Sequence, residues 1–301
     1  MSRDNIFNWF EQNCCCCKND NYTILGYRGG EAHVSGKGVK CLIVRCSNCG
    51  HVYPRPMPVL IDTNQAYKNT DEYFVSNDAE EIKEECTKLL VQIEKRYGTK
   101  GRLLDVGSGR GELLYVAKQL GWFAEGVETS EEFAAHSRVK YGISVQNCKL
   151  HAARYDAESF DVITLRMVVE HLNEPDDILE EINRVLKHNG LLWISMPNEM
   201  SLYNRMGNLY FKLQGKNWVT QLSPTFAPYH VQGFTKKSIK VMLSASGFEV
   251  EQVITFNEKI LLPRSGIKEC VVRGAALAIN RVALLAGMGT FMNVFARKVR
   301  G

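Results

Sequence analysis

From Gly101 onward the chain alternates between short apolar runs and stretches with helical spacing, and the first apolar run closes on Asp105-Val106-Gly107-Ser108-Gly109-Arg110-Gly111. This combination restricts the fold more than any other feature. Short buried strands joined by amphipathic helices call for a mostly parallel sheet flanked by helices. A glycine-rich strand-to-helix turn then places a ligand at the carboxyl ends of the strands. The pattern predicts strands at 102–107, 123–127, 143–147, 160–165, 190–196, 248–255 and 290–297, and helices at 111–120, 131–141, 176–188 and 235–246. The expected fold class is α/β, a Rossmann-like, seven-stranded, mostly parallel sheet.

The glycines let the turn pack closely and let backbone N–H groups face a ligand at the helix start. The dinucleotide fingerprint G-x-G-x-x-G needs a glycine at position 112, which is Glu112, and this argues against a nicotinamide oxidoreductase. The second strand ends at Gly126-Val127-Glu128-Thr129-Ser130, with Glu128 lying 17 residues past Gly111. A carboxylate at such a strand tip can accept two ribose hydroxyls.

Cysteine divides the chain. Seven of the ten cysteines lie in the first fifty residues: Cys14, Cys15, Cys16, Cys17, Cys41, Cys46 and Cys49. Two Cys-x-x-Cys pairs, Cys14/Cys17 and Cys46/Cys49, are separated by 28 residues. The second closes the mainly apolar, strand-like stretch Ile43-Val44-Arg45, and Gly50 supplies the positive φ that a knuckle turn needs. Two knuckles complete a tetrahedral four-thiolate site, so a structural zinc held by Cys14, Cys17, Cys46 and Cys49 is expected. Cys15 and Cys16 are left over, because neighbouring residues do not readily face one ion. Cys41, Cys46 and Cys49 also have the C-x4-C-x2-C spacing of plant-type iron–sulfur ligands, a competing assignment. The organisation read from these signals is a zinc-ribbon-like β module over 1–58, a linker and lid helix over 59–100, and the α/β domain over 101–301. Pro54-Arg55-Pro56-Met57-Pro58 reads as a stiff linker. A helix is expected from Ala79 to Tyr97, preceded by Glu72-Tyr73-Phe74, with Tyr73 a candidate lid residue over a cofactor.

Composition excludes several classes. With 45% apolar and 23% charged residues the chain is globular rather than disordered. The longest uncharged, mainly apolar run, Val282 to Ala296, has 15 residues, short of the ~20 that a membrane-spanning helix needs. The first residues carry Arg3, Asp4 and Glu11 without an apolar signal-peptide core, so a cytoplasmic protein is expected. The first 60 residues hold seven Lys/Arg against four Asp/Glu, a thin excess for tracking phosphates, and no nucleic-acid partner is expected.

Several blocks together resemble one family. Asp105-x-Gly107-x-Gly109-x-Gly111 is similar to motif I of class I S-adenosylmethionine-dependent methyltransferases, and Glu128 matches the acidic residue after their second strand. Phe160-Asp161-Val162-Ile163, Val169-Glu170-His171-Leu172-Asn173-Glu174-Pro175, Leu186-Lys187-x-x-Gly190 and Pro197-Asn198 resemble later blocks of the ubiquinone-type branch. The amino-terminal knuckles resemble the leader of bacterial methyltransferases acting on sugars and natural products. The resemblance implies S-adenosylmethionine as cofactor, held by Asp105, Gly107, Ser108, Gly109, Gly111, Glu128 and Thr129, with Arg166 and Tyr73 alongside. Where the family usually has an Asp near the adenine, this chain offers Asn147. The Glu-x-x-Glu-His block linked to a divalent metal in ubiquinone-type enzymes has Met167 in place of its first carboxylate, so no catalytic metal is expected here.

Methyl transfer to a hydroxyl requires alignment and removal of a proton. His171, after the fourth strand, is the first candidate base with Glu170 beside it; alternatively the two only brace the following turn. His230, in Pro228-Tyr229-His230-Val231, either faces the acceptor or fastens its loop. The stretch 198–234 is long for a connection in a compact domain and rich in aromatics, which reads as an acceptor-binding cap. The segments Leu202 to Leu213 and Gly266 to Leu285 look amphipathic and would suit a peripheral membrane contact or a homodimer face. The expected activity is methyl transfer to a small-molecule acceptor, most simply a hydroxyl oxygen of a sugar, lipid or natural-product intermediate. An RNA- or protein-modifying methyltransferase with the ribbon as reader is the alternative.

Overall fold

The computed structural model describes residues 6–61, 79–257 and 267–299; side chains at 79 and 267–275 are outside the description. The amino-terminal strands are β1 (Phe7–Phe10), β2 (Tyr22–Arg28), β3 (Cys41–Cys46), β4 (Val52–Pro54) and β5 (Met57–Leu60). β2, β3 and β4 form an antiparallel sheet in which Tyr22 faces Cys46 and Arg28 faces Cys41. The proline-rich stretch expected as a linker instead runs into β5, which pairs with β1. Pro58 lies opposite Trp9 in this two-stranded ribbon, where an edge tolerates a missing N–H. The small β module therefore closes at Leu60.

The helix α1 (Ala79–Tyr97) has acidic residues in its first turn and basic ones in its last, matching its dipole. Its buried stripe of Cys86, Leu90 and Ile93 joins one core cluster with Leu103, Leu113, Val162 and Trp193. Then follow β6 (Arg102–Val106), α2 (Glu112–Gln119), β7 (Phe123–Val127), α3 (Glu131–Tyr141), β8 (Val145–Gln146), β9 (Phe160–Arg166), α4 (Pro175–Val185), β10 (Leu186–Pro197), α5 (Leu202–Leu213), α6 (Lys236–Ala245), β11 (Phe248–Phe256), α7 (Ile267–Leu285) and β12 (Phe291–Lys298).

The central sheet has seven strands in the order β11-β12-β10-β9-β6-β7-β8. All run parallel except β12, which is antiparallel to both β10 and β11. The chain winds outward from β6 through β7 and β8, then crosses to β9 on its other side. That reversal leaves a crevice at the carboxyl ends of β6 and β9, the position of a ligand site in such sheets. Leu104, Ile163, Leu165, Leu192 and Ile194 are fully buried in the sheet centre, each worth about 1.5–3 kcal/mol relative to exposure.

Two boundaries differ from the sequence pattern. The third strand is only two residues long. The helix expected to reach 188 ends at Val185, because Leu186 pairs with Phe160 and Lys187 binds Asp161 at 2.9 Å, drawing the chain into β10. Local caps explain other ends: the Ser130 side chain accepts from Phe133 N, and Thr235 and Ser238 form a reciprocal capping box.

The 198–234 stretch, expected as a cap, holds α5 and then returns along the β module. Tyr27 N donates to Asn217 O at 2.9 Å, Val219 N to Tyr27 O at 3.1 Å, Val52 N to Gly233 O at 2.8 Å and Gly233 N to Val52 O at 2.7 Å. An ion pair between Lys18 and Asp176 adds a tie to α4. On α5, Tyr203, Leu209, Tyr210 and Leu213 are exposed. Among the described residues no helix is long and apolar enough to cross a membrane.

Candidate active site

β6 delivers Asp105 to the crevice. The carboxyl is buried and accepts from Thr164 Oγ1 at 2.6 Å, and burial pushes its pKa up to about 7. The pair fastens β6 to β9 at the point where ligands bind. Beyond it, Gly107, Gly109 and Gly111 all have positive φ (71°, 54° and 83°), which only glycine adopts without strain. A Cβ at Gly107 would stand 2.6 Å from Val168 Cγ2, and one at Gly111 would stand 2.5 Å from Ser137 Oγ. The loop is therefore pressed directly against the segment that follows β9.

The glycine-loop N–H groups are arranged differently from the sequence expectation. Those of Gly107 and Ser108 donate to Val127 O, that of Gly111 to Ser108 O, and that of Gly109 to Glu128 Oε2 at 2.9 Å. The loop folds back on the tip of β7, so its glycines supply room and close approach rather than free donors. Free donors are found instead at the start of α2, which no side chain caps. Ser108 Oγ is buried without a partner, an orphaned hydroxyl within the same cradle.

Glu128 is half of this arrangement. Its carboxylate accepts from Gly109 N and Ser130 N (2.9 and 2.8 Å), with the Thr129 hydroxyl 3.5 Å away. It is thus held rigidly at the tip of β7, with lone pairs remaining for hydroxyl donors. The Asn147 side-chain amide donates to Glu128 O and Thr129 O, both at 3.0 Å, which directs its oxygen away from them. These groups are what a nucleoside with a vicinal diol and a polar tail requires, so the residues fit S-adenosylmethionine. Arg166, at the end of β9, faces α1: its guanidinium lies 3.4 Å from Glu85 and 4.0 Å from the Cys86 sulfur. Tyr73 lies outside the described residues.

The segment after β9 carries Glu170 and His171, and the cap carries His230. The loops are joined by Val231 N and Gln232 N, which donate to Glu170 O at 2.8 and 3.0 Å. The imidazoles of His171 and His230 meet edge to face with centroids 4.7 Å apart. Backbone groups of Pro228 and Tyr229 hydrogen-bond the His171 ring, while desolvation pushes its pKa down to about 4 and that of His230 to about 3. Both rings are neutral at pH 7 and able to accept a proton. The Glu170 side chain is fully buried without a hydrogen bond, and burial pushes it up to about 8. Glu170, His171 and His230 place one nitrogen or oxygen each within 4.8 Å of one another.

In the β module, the four thiols of Cys14, Cys17, Cys46 and Cys49 also lie within 4.8 Å of one another. The Cys14 and Cys49 sulfurs are 3.4 Å apart, and those of Cys17 and Cys46 are 3.5 Å apart. Gly50, at φ 79°, turns the second knuckle so that its N–H reaches Cys46 O at 3.0 Å. Residue type, number and geometry fit a tetrahedral zinc with no open position. The iron–sulfur trio is not gathered: the Cys41 thiol donates to Arg28 O at 3.3 Å and packs in a separate cluster with Ile43 and Val52.

A family model described as a methyltransferase domain matches residues 79–253. The chain belongs to this methyltransferase family. Over 112 residues it is 30% identical to mouse arsenite methyltransferase, covering 31% of this chain and 30% of that one. Over 107 residues it is 30% identical to the ubiquinone biosynthesis O-methyltransferase of Haemophilus ducreyi, covering 32% and 45%. The aligned stretch thus spans less than half of either relative. A solved methyltransferase of Archaeoglobus fulgidus superimposes with a TM-score of 0.53 at 20% identity, over 79% of this chain and all of that one. It shows the shared class I fold.

Within this methyltransferase domain the sequence motifs for the glycine loop, Glu128, Asn147 and His171 meet around one crevice. Three participants were not singled out from sequence. Thr164 carried a signal, a polar residue inside the apolar run Asp161-Val162-Ile163-Thr164-Leu165. Val168 and Gln232 carried none, because their roles depend on which loops meet.

Proposed function

We propose that this methyltransferase uses S-adenosylmethionine to methylate a hydroxyl oxygen of a small molecule, such as a sugar, lipid or natural-product intermediate. One observation carries the reading: the neutral imidazole of His171, on the loop that packs against the glycine cradle, meets that of His230 from the cap. When bound, the cofactor supplies a methyl group activated by a sulfonium. The chain's own residues do the rest. Asp105, Ser108, Glu128 and the start of α2 fix the donor, and the Val168 side chain against Gly107 fixes the distance between the glycine cradle and the base-bearing loop. His171, anchored by the Pro228–Tyr229 backbone, takes the hydroxyl proton as the new bond forms. The Glu170 carboxyl, close to both rings, can ionise to balance the imidazolium.

The two curated relatives bear names of small-molecule enzymes, which supports the acceptor class. The pairing of the β module with the cap supports a structural role for that module, with a zinc on its four thiols, over a role as an RNA reader. The test is methyl transfer from labelled S-adenosylmethionine to panels of hydroxylated small molecules, RNA and protein. Transfer to a small hydroxylated acceptor is expected, with His171→Ala lowering kcat roughly 10²–10⁴-fold and leaving cofactor affinity near wild type. Transfer only to RNA or protein would overturn the acceptor class. A silent His171→Ala beside a large loss in His230→Ala would move the base to the cap.

A further inference from the structure

The two cysteines left over by the zinc assignment are gathered with His51 beside the four-thiol site. Cys15 and Cys16 lie between the zinc-type ligands Cys14 and Cys17, their sulfurs and a ring nitrogen of His51 lie within 4.8 Å of one another, and Cys15 also meets Gln232; all four residues are buried. Neighbouring residues do not readily face one ion, but here the turn brings the Cys15 and Cys16 sulfurs to 3.8 Å of each other. Cys15 Sγ is 3.5 Å from His51 Nε2 and 3.5 Å from Gln232 Oε1. From these distances we infer that Cys15, Cys16, His51 and the Gln232 side-chain oxygen form a second metal site, for a zinc-class divalent ion, at the seam between the β module and the methyltransferase domain.

Three physical points support it. First, a tetrahedral ion with bonds of about 2.3 Å to sulfur and 2.0–2.1 Å to nitrogen requires edges of roughly 3.8 Å between sulfurs and roughly 3.5 Å between sulfur and nitrogen. The Cys15–Cys16 and Cys15–His51 separations match both edges, more closely than the sulfur pairs of the four-thiol site. Second, two thiolates neutralise a divalent ion, so the loaded site carries no net charge into the interior. Third, the oxygen is aimed in advance. The Gln232 amide donates to Leu172 O and Asn173 O at 3.0 and 3.1 Å, which leaves Oε1 facing the cluster. Without the ion, His51 Nε2 lies 2.8 Å from that oxygen, a hydrogen bond. Coordination replaces the bond and widens this edge to roughly 3.4 Å.

A site built this way has a consequence for the catalytic loops. Leu172 directly follows His171, and Gln232 lies two residues after His230. An ion held by the β module and by Gln232 therefore clamps both base-bearing segments to the amino-terminal domain. The inference stands independently of the methyl-transfer reading.

The experiment is a cobalt(II) titration of the full chain after metal removal under reducing conditions, read by thiolate-to-cobalt charge-transfer absorbance, which reports only sulfur-bound ions. Wild type is expected to plateau at two ions per chain. Cys15→Ser/Cys16→Ser is expected to plateau at one, with the spectrum of an all-sulfur site. A wild-type plateau at one ion overturns the proposal whatever the variant does, as does a folded double variant that still binds two.

Discussion

Glu199 opens the cap with a carboxyl that is wholly buried. Asn204 Nδ2 donates to its Oε2 at 3.3 Å, and the basic side chains of His51, Arg45 and Arg28 act on it from the β module. Burial outweighs them and pushes its pKa from 4.5 up to about 8. The folded protein then keeps a proton that the unfolded chain releases above about 4.5. This stabilisation is complete below the unfolded value and is lost as pH rises through the folded one, at about 1.4 kcal/mol for each pH unit between them. Glu199→Gln retains an acceptor for Asn204 and cannot ionise. Relative to wild type, the variant is expected to gain a few kcal/mol between pH 5 and pH 8 in urea unfolding. A wild-type-to-variant difference that stays constant with pH would show the carboxylate to be accommodated in its charged form. No local pattern marks this residue, because its burial depends on Gly233, from a distant segment, packing against its side chain.

At the scale of elements, the β module and the cap act as one. The cap segment 217–233 takes its hydrogen bonds from Tyr27 and Val52 of the module, and Thr225 Oγ1 both donates to Val39 O and accepts from Val39 N, at 2.7 and 3.0 Å. If a zinc on Cys14, Cys17, Cys46 and Cys49 holds the module together, its removal loosens the cap as well. Cys46→Ser/Cys49→Ser is expected to lose one zinc by elemental analysis and to speed amide hydrogen exchange at Val219 and Gly233 at least tenfold, leaving the β6 and β9 amides protected. Unchanged zinc content, or fast exchange without zinc loss, would contradict this. The knuckles could be read from the sequence because their spacing is local: each Cys-x-x-Cys makes its own turn. The strands of the central sheet could be read for the same reason, since apolar runs and glycine turns are local signals. The pairing of cap with module could not, because a backbone ladder between segments so far apart leaves no period in either. The strand character of Met57–Leu60 was hidden likewise behind the three prolines of 54–58 that read as a linker.

Across the whole molecule, the sheet reversal between β6 and β9 brings together three parts distant in sequence: the glycine cradle, the tip of β7 and the loop bearing His171. Their meeting is the basis of the functional reading, and Glu128 joins two of them by accepting from Gly109 N while standing at the proposed ribose position. The most direct measurement is isothermal titration of the purified chain with S-adenosylhomocysteine, repeated on Glu128→Ala. Binding of one molecule per chain is expected, weakened in the variant by about 1.5–3 kcal/mol, the scale for losing hydrogen bonds to a charged group. No binding to the wild-type chain, or unchanged affinity in a folded Glu128→Ala, would contradict the account.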